Sequence, residues 1–318
     1  MLQQTLAQCL GVATNTRTGS IDVCDLFCGA GGFSCGAAQA GCRVIFACDA
    51  DEDALNTHKL NHPEAVHLCT KLPQNNLPLP KGSRKWHLHG SPPCQKFSTV
   101  NTRFRRRGDG HESCNLVEWF LGLALSCGAH SWSMEEVVSK DVVRMLEVAR
   151  STNPSRVAFA VFCFADLGVP QTRVRLIAGT PALVGRLLRA RESTPRHSIK
   201  DVLPQLRGTH VRNDKSWLKQ RSKHARGKKS KFAYTKAKWT DFCRDLRGPA
   251  PTVLQSNLWW ITVQRDSSLD RLPVSNSDCA LLQCFPETYR FPTNRLIARK
   301  QIANAVPPLV AKLMLSKG

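Results

Sequence analysis

The sequence predicts an α/β fold: an open, mostly parallel sheet, doubly wound, with helices on both faces. Short β-type runs alternate with helical segments over the first 180 residues or so, and this alternation is typical of βαβ units. Apolar runs that end in glycine indicate strands buried on both faces. A chain of 318 residues is long enough to bury a good core and to form one or two domains.

The predicted elements follow one another closely along the first part of the chain. Strands are expected at 21–27, 43–48, 86–89, 156–164 and 173–179, and helices at 34–39, 51–61 and 116–125. The composition then changes near residue 181. Twelve Lys or Arg and two Asp lie between residues 196 and 231, where apolar periodicity is weak. We therefore expect a second, smaller domain at 184–292.

Charge and cysteine content indicate the kind of partner and compartment. The 45 Lys and Arg exceed the 24 Asp and Glu, so the net charge of +21 favours a polyanion, nucleic acid before membrane. A basic surface without such a partner is the alternative. No apolar run reaches the ~18 residues of a membrane span, and no secretory signal is expected. Fourteen cysteines without a C-x-x-C pair predict a reduced, intracellular protein without a metal.

A glycine turn follows the first predicted strand and precedes a helix. Gly29, Gly31 and Gly32 permit a tight turn and close approach of a ligand to the backbone. Asp49 ends the next strand, where a carboxylate can bind ribose hydroxyls. Ser34 occupies the third glycine position of G-x-G-x-x-G, so a ribose ligand without a pyrophosphate, such as S-adenosylmethionine, fits better. A glycine turn of another α/β enzyme is the alternative.

Four motifs, in this order, resemble the DNA cytosine-5 methyltransferase family. They are the glycine turn at 25–34, a proline-braced thiol at 90–98, an arginine pair within 168–175 and an Asn-Ala-Val-Pro-Pro tail at 304–308. The resemblance implies a Rossmann-like, S-adenosylmethionine-dependent methyltransferase fold. It implies a discontinuous catalytic and cofactor-binding domain, 18–183 plus 293–318, and a target-recognition domain at 184–292.

The resemblance also implies roles for individual residues. S-adenosylmethionine would be the methyl donor, in a pocket lined by Phe27, Gly29, Gly31, Gly32, Asp49, Pro92 and Asn304. The Cys94 thiolate would add to carbon 6 of a flipped-out cytosine and so activate carbon 5. The implied catalytic set is Cys94, Glu135, Gln171, Arg173 and Arg175. Arg173 is expected to meet the DNA backbone or the cofactor side, and Arg175 to hold Glu135 and the cytosine oxygen.

Basic side chains supply the predicted DNA contacts. A loop after the thiol contains Arg103, Arg105, Arg106 and Arg107, and the small domain contributes Lys219, Arg221, Lys223, Arg226, Lys228 and Lys229. A solvated loop and a nuclear localisation signal are the respective alternatives. Double-stranded DNA is the expected partner. We expect a monomer, located in the nucleus if the source is eukaryotic and otherwise in the cytoplasm.

The chain departs from the family pattern at several positions, which marks a divergent member. Glu136 stands where the family has Asn, Thr70 where an Asp meets the adenine, and Ala303 where Gly precedes the tail asparagine. The second carboxylate would either help the acid catalyst by raising its proton affinity or signal lost function. Two alternative functions therefore stay open: tRNA cytosine-5 methylation by the same fold, and a catalytically inactive DNA-binding relative.

Overall fold

The computed structural model describes residues 20–81, 84–93, 111–203, 248–255, 260–265 and 268–316, with the backbone alone at 111–115, 260–265 and 268–273. The strands are β1 (Asp22–Leu26), β2 (Arg43–Asp49), β3 (Val66–Cys69), β4 (Trp86–Gly90), β5 (Ser131–Glu136), β6 (Ala158–Cys163), β7 (Gln171–Thr172), β8 (Val174–Gly179), β9 (Ala250–Pro251), β10 (Trp260–Arg265) and β11 (Ser268–Pro273). The α-helices are α1 (Gly32–Gln39), α2 (Glu52–Asn61), α3 (His111–Ser126), α4 (Lys140–Thr152), α5 (Pro181–Ser193), α6 (Ile199–Val202), α7 (Asn276–Leu282), α8 (Arg295–Asn304) and α9 (Pro308–Leu315).

One seven-stranded sheet organises the described part of the chain, in the order β3-β2-β1-β4-β5-β8-β6. The five strands from β3 to β5 pair in parallel. Strand β8 runs antiparallel to both β5 and β6. The predicted α/β fold with a mostly parallel sheet is confirmed. The sequence did not indicate the reversal of β8, which follows from a connection after β6 that is too short for a parallel crossover.

Two apolar clusters cover the two faces of this sheet. On one face Leu88 and Trp132 pack against α3 and α4. On the other face Val23 and Ile177 pack against α1, α5 and α9. Every residue of β1 and β4 is buried, which explains why these strands read in the sequence as short continuous runs rather than as alternating patterns.

Helix α9 returns from the far end of the chain to lie against α1. A side-chain carbon added at Gly36 would overlap the carbonyl oxygen of Pro308 and the side chain of Ala311. The two helices therefore approach as closely as backbones without an intervening side chain allow. Phe33 of α1 and Met314 of α9 lie in the same buried cluster. The last described helix thus covers the helix that follows the glycine turn.

The predicted boundary at residue 184 falls inside α5, whose buried residues Leu183, Val184 and Leu187 pack on the same cluster as α9. Most of the segment 204–259 lies outside the described residues, so the division into two domains stays a prediction. Within the described ranges, no helix is long and apolar enough to cross a membrane.

Candidate active site

The carboxyl ends of four neighbouring strands form one row across the sheet. Cys48 of β2 pairs with Leu26 of β1, Leu26 with Gly90 of β4, and Gly90 with Met134 of β5. The residues that follow this row emerge at one edge, where open α/β sheets bind their ligands. They belong to the predicted ribose site, the glycine turn, the segment leading to the thiol, and the predicted acid.

The ribose-site candidate Asp49 is fixed by the backbone of the glycine turn. Its two carboxylate oxygens accept hydrogen bonds from the amide nitrogens of Gly29, at 2.7 Å, and Asp51, at 2.8 Å. Burial raises the pKa of Asp49 above 3.8, and these two hydrogen bonds oppose the shift. A carboxylate oxygen has two acceptor positions. Asp49 thus keeps acceptor capacity for hydroxyl groups at the strand edge.

A second carboxylate, which the sequence analysis did not single out, lies beneath the same turn. Asp25 is 1% exposed, and its Oδ2 accepts a hydrogen bond from Ser34 Oγ at 2.7 Å. Its Oδ1 is buried without a hydrogen-bond partner among the described residues. Burial, with a smaller effect of the Asp49 charge, raises the pKa of Asp25 to about 7. The serine at the third glycine position was the available sequence signal for this pair.

The three predicted cofactor glycines have different surroundings. Gly29, with φ of 52°, faces open space, since an added side-chain carbon would meet nothing within 4 Å. At Gly31 such a carbon would lie 2.5 Å from the Tyr289 hydroxyl, and at Gly32 it would overlap the carbonyl of Val306. A ligand can thus approach the backbone at Gly29, whereas the missing side chains of Gly31 and Gly32 leave room for Tyr289 and Val306. The sequence reasoning missed Tyr289, which donates a hydrogen bond to Ala30 O at 2.6 Å.

The remaining predicted cofactor residues surround this turn. Phe27 has φ of 55° and makes an edge-to-face contact with Trp119, with ring centroids 6.3 Å apart. Pro92 is buried. Asn304 is exposed at the end of α8, and its Oδ1 accepts a hydrogen bond from Gln255 at 2.6 Å. Thr70 lies beside the ribose candidate, because its amide donates to Asp49 O at 3.0 Å.

The predicted acid is held by the two predicted arginines. Glu135 is 7% exposed, and its Oε1 lies 3.1 Å from Nε of Arg175 and 3.8 Å from a terminal nitrogen of Arg173. The antiparallel pairing of β5 with β8 places these side chains together. A buried carboxylate between two guanidinium groups is fixed in position and compensated in charge.

Two further details describe the surroundings of this cluster. Arg173 is only 3% exposed and donates to the carbonyl of Ala303 at 2.9 Å, so it faces α8 rather than a surface that a DNA backbone can reach. By strand alternation Glu136 follows Glu135 on the opposite face of β5, and its carboxylate accepts a hydrogen bond from the amide of Val137.

Gln171 links the sheet to the α7 region. It is fully buried, and its Nε2 donates to Leu282 O at 2.9 Å and to Gln283 Oε1 at 2.7 Å, while its Oε1 accepts from Val253 N at 3.1 Å. Gln283 in turn donates to Ile302 O at 2.7 Å. Through these hydrogen bonds Gln171 connects segments of the chain that are distant in sequence.

The predicted nucleophile and DNA contacts lie outside the described residues. They are Cys94, Arg103, Arg105, Arg106, Arg107, Lys219, Arg221, Lys223, Arg226, Lys228 and Lys229. The chain is described up to Pro93, the residue before the thiol. Among the described residues, no group of three His, Cys, Asp or Glu is arranged to hold a metal ion.

This seven-stranded sheet, with the carboxylate of Asp49 and the clamped Glu135 at one edge, has the architecture expected of a Rossmann-like methyltransferase. A family model of C-5 cytosine-specific DNA methylases matches residues 21–117 and 145–317. The chain belongs to this family, and the resemblance found in the sequence is confirmed.

Relatives and solved structures agree with this assignment. The type II methyltransferase M.HgiDI of Herpetosiphon aurantiacus is 25% identical over 295 residues, which cover 89% of each chain. M.AgeI of Thalassovita gelatinovora is 35% identical over 167 residues, 48% of this chain and 37% of that protein. An E. coli prophage protein described as a DNA modification methyltransferase superposes with a TM-score of 0.62 at 20% identity, covering 93% of this chain and 97% of the other. The fold is therefore shared with a solved structure.

Proposed function

We propose that this protein transfers the methyl group of S-adenosylmethionine to carbon 5 of cytosine in double-stranded DNA, through a covalent adduct with Cys94. The observation that carries the proposal is the row of strand ends described above. It brings the Gly29–Asp49 turn, the segment entering Cys94 and the clamped Glu135 to adjacent positions on one sheet edge. Methyl transfer to an unactivated pyrimidine needs these three parts side by side.

The residues on the cofactor side suit S-adenosylmethionine. Its ribose hydroxyls are donors for the free acceptor positions of Asp49. The open space in front of Gly29 lets a ligand approach the backbone of the turn. When bound, S-adenosylmethionine supplies an electrophilic methyl group on a sulfonium.

Catalysis by the chain then requires three actions at the base. The Cys94 thiolate forms a bond to carbon 6, while Glu135, held by Arg175, supplies a hydrogen bond or proton at the ring nitrogen where charge collects. Carbon 5 becomes nucleophilic and takes the methyl group as the sulfur–methyl bond of the sulfonium breaks, which leaves the neutral thioether S-adenosylhomocysteine. Loss of the carbon 5 proton and cleavage of the sulfur–carbon 6 bond then restore the aromatic ring and the free thiolate.

The DNA side of the proposal depends on charge. A net charge of +21 favours a polyanion. The arginines at 103–107 and the basic run at 219–229 are proposed as phosphate contacts, which supply affinity rather than sequence recognition. Because the base must leave the stack to reach Cys94, the protein is proposed to flip it out of the duplex. A genomic substrate would place the protein inside the cell.

The direct test is transfer of labelled methyl groups from S-adenosylmethionine to unmethylated duplex DNA of mixed sequence. We expect 5-methylcytosine from the wild-type protein and none from Cys94→Ala. Cys127→Ala is the matched control, because it removes a partly buried thiol just before the start of β5, at the end of the sheet opposite the site. Binding of DNA is expected to survive in both variants.

The outcomes separate the alternatives. Label in tRNA but not in DNA would replace the DNA assignment with tRNA methylation. Absence of label in both substrates would favour an inactive DNA-binding relative, and binding of S-adenosylmethionine measured by calorimetry would then show whether the cofactor site is kept. Equal activity of Cys94→Ala and wild-type protein would refute the covalent mechanism.

A further inference from the structure

A buried chain of alternating hydroxyl and imidazole groups runs between β4 and β5 and ends in the segment that leads to the thiol. Ser131 Oγ lies 2.8 Å from His87 Nδ1, and His87 Nε2 lies 2.9 Å from Ser133 Oγ. Ser133 Oγ lies 2.8 Å from His89 Nδ1, and His89 Nε2 lies 2.9 Å from Ser91 Oγ. The four links are all within normal hydrogen-bond distance.

The period-two pattern of the strands creates this chain. The histidines alternate along β4 and the serines along β5, so each set shares one face of the sheet. His87 and Ser133 are fully buried and His89 is 1% exposed. Both histidines are neutral here, because burial lowers the pKa of His87 to about 3 and that of His89 well below 6.5.

The central serine couples the tautomers of the two histidines. Ser133 has one hydroxyl proton and bonds to a ring nitrogen on each side, so it donates to one histidine and accepts from the other. If His87 donates from Nε2, then Ser133 donates to His89 Nδ1, and His89 donates from Nε2 to Ser91. In the opposite polarity every bond reverses. Both polarities preserve the link between His89 and Ser91.

The ring of His89 is also clamped from the cofactor side. Phe33, in the first turn of α1, stacks on it with ring centroids 3.5 Å apart and planes within 3° of parallel. At the other end of the link, the amide of Ser91 donates to Leu26 O at 3.3 Å. The next residues are buried Pro92 and then Pro93, which restrict the backbone before Cys94.

We propose that His89 is a positioning residue for methyl transfer: its hydrogen bond to Ser91 sets the start of the segment that presents Cys94, and stacking on Phe33 ties this setting to the cofactor turn. The inference rests on the proposed function. His89 touches neither reactant; it acts through Ser91. Its effect therefore belongs to the chemical step and not to binding of either substrate.

The test compares deletion of equivalent hydroxyl groups at the two ends of the chain. Ser91→Ala removes the link to His89, and we expect kcat to fall about tenfold, the factor that corresponds to one lost hydrogen bond. KM for S-adenosylmethionine and for DNA is expected to stay within about twofold, and Ser91→Thr, which keeps the hydroxyl, to restore kcat.

Ser131→Ala is the matched control. It removes the far hydroxyl, and the polarity in which His89 donates to Ser91 remains available, so kcat is expected to stay close to the wild-type value. Equal losses of kcat in Ser91→Ala and Ser131→Ala would overturn the proposal and indicate instead that protons move along the whole chain. An unchanged kcat in Ser91→Ala would also overturn it.

A second readout does not depend on activity. The rate at which iodoacetamide alkylates Cys94, relative to exposed Cys69 in the same protein, is measured for each variant by peptide mass spectrometry. We expect this ratio to change severalfold in Ser91→Ala and to stay constant in Ser131→Ala. A constant ratio in both variants would refute the positioning role. If the wild-type protein transferred no methyl group but the alkylation ratio changed as expected, the proposed function would be refuted, and the influence of the His89–Ser91 hydrogen bond on Cys94 would still be supported.

Discussion

Mild acid is expected to destabilise this protein strongly, because four neutral histidines are buried in the part of the chain that the structure describes. His58, His62, His87 and His89 are each at most 5% exposed. Burial lowers the pKa of His62 to about 4 and that of His87 to about 3, and it lowers the pKa values of His58 and His89 well below 6.5. In the unfolded chain all four titrate near 6.5. Such histidines contribute stability above pH 6.5 or so and lose it as the pH falls towards their folded-state pKa values.

The size of the loss follows from proton linkage. Between about pH 7.5 and about pH 5, each histidine favours the unfolded state by about 2 kcal/mol, and four give about 8 kcal/mol. Asp25 acts in the opposite direction, because its pKa is raised to about 7 and the folded state takes up its proton first. That proton uptake stabilises the folded state by about 2.5 kcal/mol over the same pH interval. A net loss of about 5 kcal/mol is comparable with the whole stability of many proteins.

Urea unfolding, followed by tryptophan fluorescence at a series of pH values, measures this loss. Trp86 and Trp132 are buried in the sheet and report on the core. The urea midpoint is expected to fall steeply below about pH 6.5, and His87→Gln to reduce the pH-dependent loss by about 2 kcal/mol. A free energy of unfolding that changes by less than about 1 kcal/mol between pH 7.5 and 5 would refute the reasoning.

Three further perturbations test separate parts of the structure. Glu135→Gln keeps the shape of the side chain but cannot transfer a proton, so kcat for methyl transfer is expected to fall about 10²- to 10⁴-fold while DNA binding is retained. A kcat near the wild-type value would exclude the acid role. Gly36→Ala is expected to lower the free energy of unfolding by about 1–3 kcal/mol, because the added methyl group would overlap α9. Its control is Gly122→Ala, in an exposed helical position with open space around it, which is expected to raise the free energy of unfolding by up to about 1 kcal/mol. Equal effects of the two substitutions in urea unfolding would contradict the close approach of α1 and α9. The free energy of unfolding of Asp25→Asn, relative to that of the wild-type protein, is expected to rise by about 4 kcal/mol between about pH 4 and pH 8. The reason is that only the wild-type protein must ionise a buried carboxyl group as the pH rises. A difference in free energy that does not depend on pH would show that Asp25 titrates normally.

The sequence predicted those features that depend on local patterns. The buried runs of β1 and β4 and the capped helix α2 were found close to their observed bounds. Helix α3 begins at His111, five residues before the predicted start, because its first turn is polar and shows no apolar periodicity. Alternation along a strand also placed Arg173 and Arg175 on one side, and both contact Glu135.

Features that depend on which strands become neighbours were not visible in the sequence. Serines 131 and 133 meet His87 and His89 only because β5 lies beside β4. The burial of Arg173 depends on Ala303, which is 130 residues distant along the chain. Likewise the hydroxyl of Tyr289 reaches the glycine turn from the far end of the sequence. A single sequence gives the face of each side chain, but the strand order decides what that face meets.

The contact of α9 with α1 has a consequence for the order of events during synthesis. Helix α1 emerges early from the ribosome, but its cover is α9, about 270 residues later, which at typical rates of translation takes roughly 15–55 s. Until then the apolar side chains of Phe33 and Ala37 have no partner from α9. Between the emergence of α1 and that of α9, the nascent chain therefore has an uncovered apolar surface on α1 that can associate with other chains or bind a chaperone, and its cofactor half becomes complete only when α9 has emerged.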